Sequence, residues 1–291
     1  DSIAEVVSQM PAQRQTLLFS ATYSKEVRAM STRFQRDPVS VTVADTPEAI
    51  KITQIFHEVD NRERVNAVAA ILRHHKPETA VLFCNTKQRC DEVVTELAGK
   101  GFQVAALHGD LEQRDRDLVL VKFSNRSCPI LVATDVAARG LDIKDLAMVI
   151  NVEMAFDPEV HVHRIGRTGR AGQSGLAVSL CAPADGHRVL AVEDYQSIKV
   201  DWQDLPVATG ASSTVLPRMV TLNIAGGRKD KVRPGDILGA LTGDAGIPGA
   251  MVGKIDIFDM QAYVAVDRDV ANQAIKGLGK IKGRIFRVRK V

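Results

Sequence analysis

The chain has 291 residues, 45% of them hydrophobic and 25% charged, which is room for two ordinary domains with cores of their own. No apolar run approaches the roughly 20 residues of a membrane helix, and no signal peptide precedes the first structured segment, so a protein of the cytoplasm is expected. The net charge of +3 hides an asymmetry: residues 215–291 carry 14 Lys and Arg against 7 Asp and Glu, whereas the rest carries 24 against 28, so the basic tail expects a polyanionic partner.

From QTLLFSAT onward, short apolar runs alternate with helical patterns: KITQIFHEV, NRERVNAVAAILRHH, TAVLFCNT, KQRCDEVVTELAGKG, FQVAALHG, LEQRDRDLVLVKFSN and PILVAT. The pattern continues through AMVINVE, a helix containing EVHVHRIGRT, the strand GLAVSLCA and the helix ADGHRVLAVEDYQ. These strands are rich in Val, Ile, Leu and Ala without clean alternation, as strands covered on both faces are. The fold class is therefore α/β, a doubly wound parallel sheet. A break near ADTPEA separates residues 1–44 from the main domain at 45–204, and the Pro, Ser, Thr and Gly of 205–217 read as a linker. Residues 218–291 follow a βαββαβ order, the split arrangement of ferredoxin-like folds and RNA-recognition modules. Cys84, Cys90, Cys128 and Cys181 show no CxxC or zinc spacing, so reduced, buried thiols and no metal site are expected. The chain begins with Asp1, as a piece of a longer protein would.

Chemistry concentrates in HRIGRTGRAG, where Arg164, Arg167 and Arg170 recur every third residue. On a helix they share a broad face, so at least two can reach one multivalent anion, and phosphate suits a forked guanidinium. Gly166 and Gly169 gain nothing structurally in this reading and let the backbone approach the ligand. A solvated basic helix face is the alternative. In LVATDVAARGLDI, Thr134 and Asp135 fall at the carboxyl end of a predicted strand, where open α/β sheets bind ligands, although Asp135 could equally cap a helix. Arg139 could meet a phosphate and Asp142 a ribose hydroxyl. Asn85, Thr86, Lys87, Gln113 and Arg116 follow other strands and could ring a shallow polar groove.

SAT at Ser20–Thr22, FCNT, LHGDLEQRDRD, LVATDVAARGLDI and HRIGRTGRAG occur in the order and rough spacing of a DEAD-box RNA helicase, and the chain is identified as resembling that family from just after its DEAD sequence. RPGDILGALTGDAGI, VGKIDIFD and YVAV resemble the RNA-binding module of its DbpA/YxiN subgroup, whose members target large-subunit ribosomal RNA. The resemblance implies an ATP hydrolase acting as a monomer on pre-ribosomal particles. It makes 1–44 the end of a first RecA-like domain, 45–204 the second RecA-like domain, and 218–291 an RNA-recognition-like domain. It assigns Arg167 and Arg170 to the ATP γ-phosphate, Gly140 and Asp142 to the nucleotide, and His163 to coupling between the ATP and RNA sites. Ser20 and Thr22 would link hydrolysis to strand separation. Phe83, Asn85, Thr86, Gln113, Arg116, Thr134 and Arg139 would lie on the RNA backbone. No GxxxxGK[ST] loop and no DEAD sequence occur in the chain, so ATP and Mg2+ would be held mainly by a domain this sequence lacks.

In the tail, Arg228, Lys229, Lys231 and Arg233 precede the first helix, and Lys280, Lys282, Arg284, Arg287 and Arg289 surround the last strand. They are expected to grip a structured RNA hairpin by shape and phosphate position. Tyr263 alone has the parity to stack a base, opposite Val264 and Val266, unless it merely covers the sheet. Two other readings compete: an ATP-independent RNA-binding or annealing protein on a helicase-like scaffold, and DNA unwinding.

Overall fold

The computed structural model describes residues 2–19, 25–41, 52–138, 146–169, 174–207 and 216–291. The chain divides into a unit over 1–47 and a unit over 48–291. In the first, helices α1 (Ser2–Ser8) and α2 (Lys25–Phe34) flank the apolar run QTLLF, which forms no strand. Its Leu17 and Phe19 are exposed, at 66% and 88%, and no neighbouring strand satisfies its backbone.

The second unit runs β1 (Ile52–Glu58), α3 (Arg64–His75), β2 (Ala80–Phe83), α4 (Lys87–Gly99), β3 (Val104–Leu107), α5 (Gln113–Ser124), β4 (Ile130–Ala133) and α6 (Asp135–Ala138). It continues with β5 (Met148–Asn151), α7 (Pro158–Ile165), β6 (Gly175–Cys181), α8 (Gly186–Gln196) and β7 (Asp201–Trp202). The seven strands pair in parallel in the order β3-β4-β2-β5-β6-β1-β7. Every residue of β2, β4 and β5 is buried. Alternate residues supply the two covered faces. Leu82, Val132 and Ile150 pack with Val68, Leu72, Val93 and Leu97, and Val81, Phe83, Leu131 and Val149 pack with Phe123 and Ala137. This is the parallel α/β sheet that unalternated apolar runs predict. All four cysteines are buried and free.

The tail forms β8 (Met219–Ile224), α9 (Pro234–Gly239) extended by a π-helical turn over Ala240–Asp244, β9 (Val252–Ile257), β10 (Ala262–Asp267) and α10 (Ala271–Gly277). A hairpin of β11 (Lys280–Ile281) and β12 (Arg284–Ile285) then leads to β13 (Val288–Lys290). Its sheet is antiparallel, in the order β13-β8-β10-β9. The single last strand read from GRIFRVRKV is split at Phe286 and Arg287: Arg284–Ile285 pairs back on Lys280–Ile281 across the two-residue turn of Lys282 (φ 50°) and Gly283 (φ 76°), and Val288–Lys290 pairs with β8. Leu222, Ile224, Val264 and Val266 face inward onto Ile237, Leu241, Ala271, Ala274 and Leu278.

The outward residues of this small sheet are not in solvent. Thr221, Asn223, Tyr263 and Ala265 are 0%, 6%, 5% and 1% exposed; the end of α5 and the turn after it meet Thr221, Asn223 is bonded to Gln261 and Tyr263 packs on Phe258. Asn125 Nδ2 donates to Thr221 Oγ1 at 3.2 Å, Ser127 Oγ shares a hydrogen bond with the same oxygen at 2.6 Å, and Lys254 Nζ donates to Ser124 Oγ at 3.2 Å. Helix α5 thus serves two cores: Val119, Leu120 and Phe123 turn toward the parallel sheet, and its other flank meets the module.

Candidate functional site

Arg164 and Arg167 of HRIGRTGRAG part company in the structure. Helix α7 begins with Asp157, whose side chain accepts from the Glu159 amide at 2.7 Å, and ends at Ile165 with Gly166 as its C-cap. Arg164, in the last turn, therefore points into the protein, while Arg167 lies beyond the helix. The Arg164 side chain is 1% exposed. Its Nε and Nη2 fork onto the two oxygens of Asp135 at 2.6 and 2.8 Å, and Nη2 also donates to Asn85 Oδ1 at 2.8 Å. Nη1 donates to the Glu153 carbonyl at 2.8 Å and to Asn151 Oδ1 at 3.3 Å. All five guanidinium protons are used. Beneath them lies the ring of Phe83, 5.2 Å from the guanidinium carbon.

This hub corrects several expectations. The arginines do not share one helix face, since the helix stops before Arg167. Asp135 is at the start of α6, with both oxygens held by Arg164. Phe83 is 2% exposed and its carbonyl accepts from Val152, so it is the floor under Arg164 and offers no surface to a ligand. The glycines do have a structural reason: Gly169 has φ 73°, and a Cβ on Gly175 would lie 2.4 Å from the Gly169 nitrogen. The loop after α7 and the start of β6 pass too closely for side chains at these positions.

The hub gathers the carboxyl ends of β2, β4 and β5 at one edge of the sheet. Asn85 is fixed there by three bonds: its amide donates to a Glu153 carboxylate oxygen at 2.8 Å, its Nδ2 to the Met154 carbonyl at 3.0 Å, and its Oδ1 accepts from Arg164. Exposed Thr86 caps α4, accepting from the Arg89 amide at 3.1 Å, and exposed Lys87 is ion-paired with Asp110. Thr134 is 8% exposed. Gln113 Nε2 donates to Asp117 at 2.7 Å, and Arg116 Nη2 to the Ala137 carbonyl at 2.9 Å, tying α5 to α6. Arg167 is half-buried, and its carbonyl accepts from the Leu146 amide at 3.2 Å. Thr168 bridges the same segment through the Leu146 carbonyl. His163 is exposed on the last turn of α7. Ser20, Thr22, Arg139, Gly140, Asp142 and Arg170 lie outside the described residues.

One turn before Arg164, His161 is fully buried, stacked on Phe56 with ring centroids 6.0 Å apart and its Nε2 3.3 Å from Gln54 Oε1. Burial, helped by the Arg164 charge, pushes its pKa down to about 4, so it is neutral at pH 7. Sequence reasoning passed over Arg164 as an anchor and Glu153 altogether. Glu153 follows β5 just as Asn85 follows β2, so the strand-end rule applied to VINVE would have marked it.

In the tail module the two basic groups converge. Arg284 Nη1 donates to the Asp230 carbonyl at 3.0 Å and Lys282 pairs with Asp236 at 2.8 Å, so the hairpin sits on the loop carrying Arg228, Lys229, Lys231 and Arg233. Arg228 is anchored to Asp259 at 3.3 Å and to the Ile257 carbonyl at 3.1 Å. Exposed Arg289 stands on β13 and exposed Arg287 just before it, both with the parity of the outward face, since Arg289 pairs with Asn223 and Val288 with Ile224. Tyr263 has the expected parity, yet it is covered, and its ring meets Phe258 edge-on at 5.6 Å.

Comparison with known proteins brings the two sheets together. Residues 63–172 match the helicase conserved C-terminal domain, and residues 221–290 match the DbpA RNA binding domain. The chain is 51% identical over 291 residues to the ATP-dependent RNA helicase DbpA of Escherichia coli, covering 99% of this chain and 64% of that protein. It is 40% identical over 202 residues to the DEAD-box ATP-dependent RNA helicase CshA of Bacillus subtilis, covering 69% of this chain and 41% of that one. Among solved structures, a DEAD box protein from Methanococcus jannaschii superposes with a TM-score of 0.51 at 31% identity, over 69% of this chain and 54% of that one. Dbp5 of Saccharomyces cerevisiae bound to RNA and ADP BeF3 superposes with a TM-score of 0.63 at 25% identity, over 70% and 55%. The chain thus spans about two thirds or less of the length of these curated relatives.

Proposed function

We propose that this chain, which belongs to the DEAD-box RNA helicase family and carries a DbpA-type RNA-binding domain, supplies the second half of an ATP-driven RNA-remodelling site together with the module that chooses the RNA. The observation that carries this reading is the Arg164 hub, which uses one arginine of HRIGRTGR to brace the strand ends and puts Arg167 on the loop that follows, beside Leu146 at the entry to β5.

In this reading Arg167, with Arg170, offers guanidinium to the γ-phosphate of ATP. Such fingers neutralise charge that grows as the phosphoryl group transfers. The nearby backbone suits a phosphate, since Gly169 carries no side chain at φ 73°. Mg2+ and the remaining phosphate contacts would come from the first RecA-like domain, of which residues 1–44 are the end, and Asp142 would accept from the ribose. Asn85, Thr86, Gln113, Arg116 and Thr134 would hold RNA by phosphate and sugar, which positions a strand without reading it. His163 would relay between the two sites. The cations around Lys229, Lys231, Arg233 and Lys282 would select a large-subunit ribosomal RNA hairpin in a pre-ribosomal particle. The test is RNA-stimulated ATP hydrolysis by the complete protein, compared between ribosomal RNA fragments and unrelated RNA. Hydrolysis that ribosomal RNA stimulates no better than unrelated RNA removes the targeting role, and binding without hydrolysis returns the chain to the class of RNA-annealing proteins.

A further inference from the structure

Arg114 of α5 and Arg289 of β13 both lie near Tyr263 where α5 runs past the small sheet, with Arg287 two residues before Arg289, and no function described above uses Arg114. Arg114 projects from the first turn of α5, one residue from Gln113 and two from Arg116, but on the flank that faces the module. Arg114, Asp117, Val121 and Ser124 recur at three- and four-residue spacing and so share a stripe of the helix, and Ser124 at its end is bonded to Lys254. On the other side, Arg289 belongs to the outward face of β13, and Arg287, just before the strand, has the same parity and its carbonyl accepts from Ala225. Arg114 and Arg289 both lie near enough to the Tyr263 phenol to act on it electrostatically, as does Asp117. All three arginines are exposed, and none has an ion-pair partner among the described residues, in contrast to Arg126, Arg188, Arg218 and Arg228. Asp117, the nearest carboxylate on α5, is bonded to Gln113.

Like charges along a packed junction raise the local positive potential, which attracts a polyanion. Resting on the RNA-binding reading above, we infer that Arg114, Arg287 and Arg289 form a single phosphate-backbone track across the junction, along which an RNA strand held at Gln113 and Arg116 continues onto the edge of the module. The ligand is the sugar-phosphate chain of single-stranded RNA, contacted without base readout. The two halves of the track come from different sheets and are aligned by the Asn125, Ser127 and Lys254 contacts.

The probes are uridine homopolymers, one short enough to fill only the groove and one several times longer, titrated against this chain at increasing salt. Arg114→Gln and Arg289→Gln should each weaken the long strand by roughly tenfold and leave the short one unchanged, the loss of about one charge-assisted contact. Each should also lower the slope of log K against log salt by about 0.7, the value for one phosphate on a single strand. Arg114→Lys should recover most of the slope, and Lys276→Gln, on the far side of the small sheet, should change nothing. Unchanged long-strand affinity and slope in Arg114→Gln overturn the track, as does an equal loss on both strands. Failure of the unsubstituted chain to bind either strand overturns the RNA-binding reading itself.

Discussion

The parallel sheet and the small antiparallel module place their polar groups by opposite means. At the parallel sheet's edge, Arg164 spends every proton on Asp135, Asn85, Asn151 and Glu153 inside the protein, so the geometry around a ligand is set before the ligand comes. On the module, Lys229, Lys231, Arg233, Arg287 and Arg289 are exposed and none is ion-paired among the described residues. The first arrangement suits chemistry, which rewards fixed donors; the second suits a long, deformable polyanion, which rewards many weak contacts. The braced arginine fixes the shape of the sheet edge, and the exposed cations leave the surface of the module adaptable.

That contrast breaks most decisively at Arg167. In the complete enzyme, Arg167→Ala should slow RNA-stimulated ATP hydrolysis by about 10³–10⁵-fold while RNA affinity stays within a small factor, measured by steady-state turnover and filter binding. A variant that hydrolyses ATP at the parent rate removes Arg167 from the site. Arg164→Ala tests the bracing itself: it strands Asp135 beside a vacated pocket and should cost about 3 kcal/mol in urea unfolding of this chain. Its loss should be far larger than that of any single cation on the module, such as Lys229→Ala, expected within about 0.5 kcal/mol.

His161 sharpens the same contrast through pH. Its folded pKa, about 4, lies below the ordinary imidazole value near 6.5, so the unfolded chain binds the extra proton first. Its contribution is present above pH 6.5 and is lost as pH falls toward 4, by on the order of 3 kcal/mol. His161→Phe, which keeps the stack on Phe56, should flatten that part of the stability curve. A parent curve that is already flat between pH 6.5 and 4 means His161 is protonated in the folded state. A smaller effect than that of His161 is expected at the junction. Thr221→Val keeps the shape but leaves Asn125 Nδ2 without its acceptor, and about 1 kcal/mol should go, read as a lower unfolding midpoint.

Much of this was legible from residue order. The β-strands of the parallel sheet announce themselves because burial on both faces demands unbroken Val, Ile and Leu, and the inward Leu222, Val264 and Val266 because burial on one face demands alternation. The contact of the hairpin with the loop carrying the first basic group depends on Arg284–Asp230 and Lys282–Asp236, which residue order does not show. What stayed hidden depends on partners far along the chain. Arg164 looks like Arg167 in sequence, and only Asp135 and Asn85, 29 and 79 residues away, tell them apart. The covering of the small sheet was equally unreadable from local period. Its trace is compositional: Thr221, Asn223, Tyr263 and Ala265 carry no charge on a face that should meet water.

The two-sided helix α5 also has a history in time. Asn125 and Thr221, which join its end to the small sheet, are separated by 96 residues. At translation rates of about 5–20 residues per second, the module-facing flank waits roughly 5–20 s on the ribosome before its partner is made. A greasy flank would spend that interval seeking other company. Ser124, Asn125 and Ser127 can spend it bonded to water, then exchange those bonds for Lys254 and Thr221 when the module emerges.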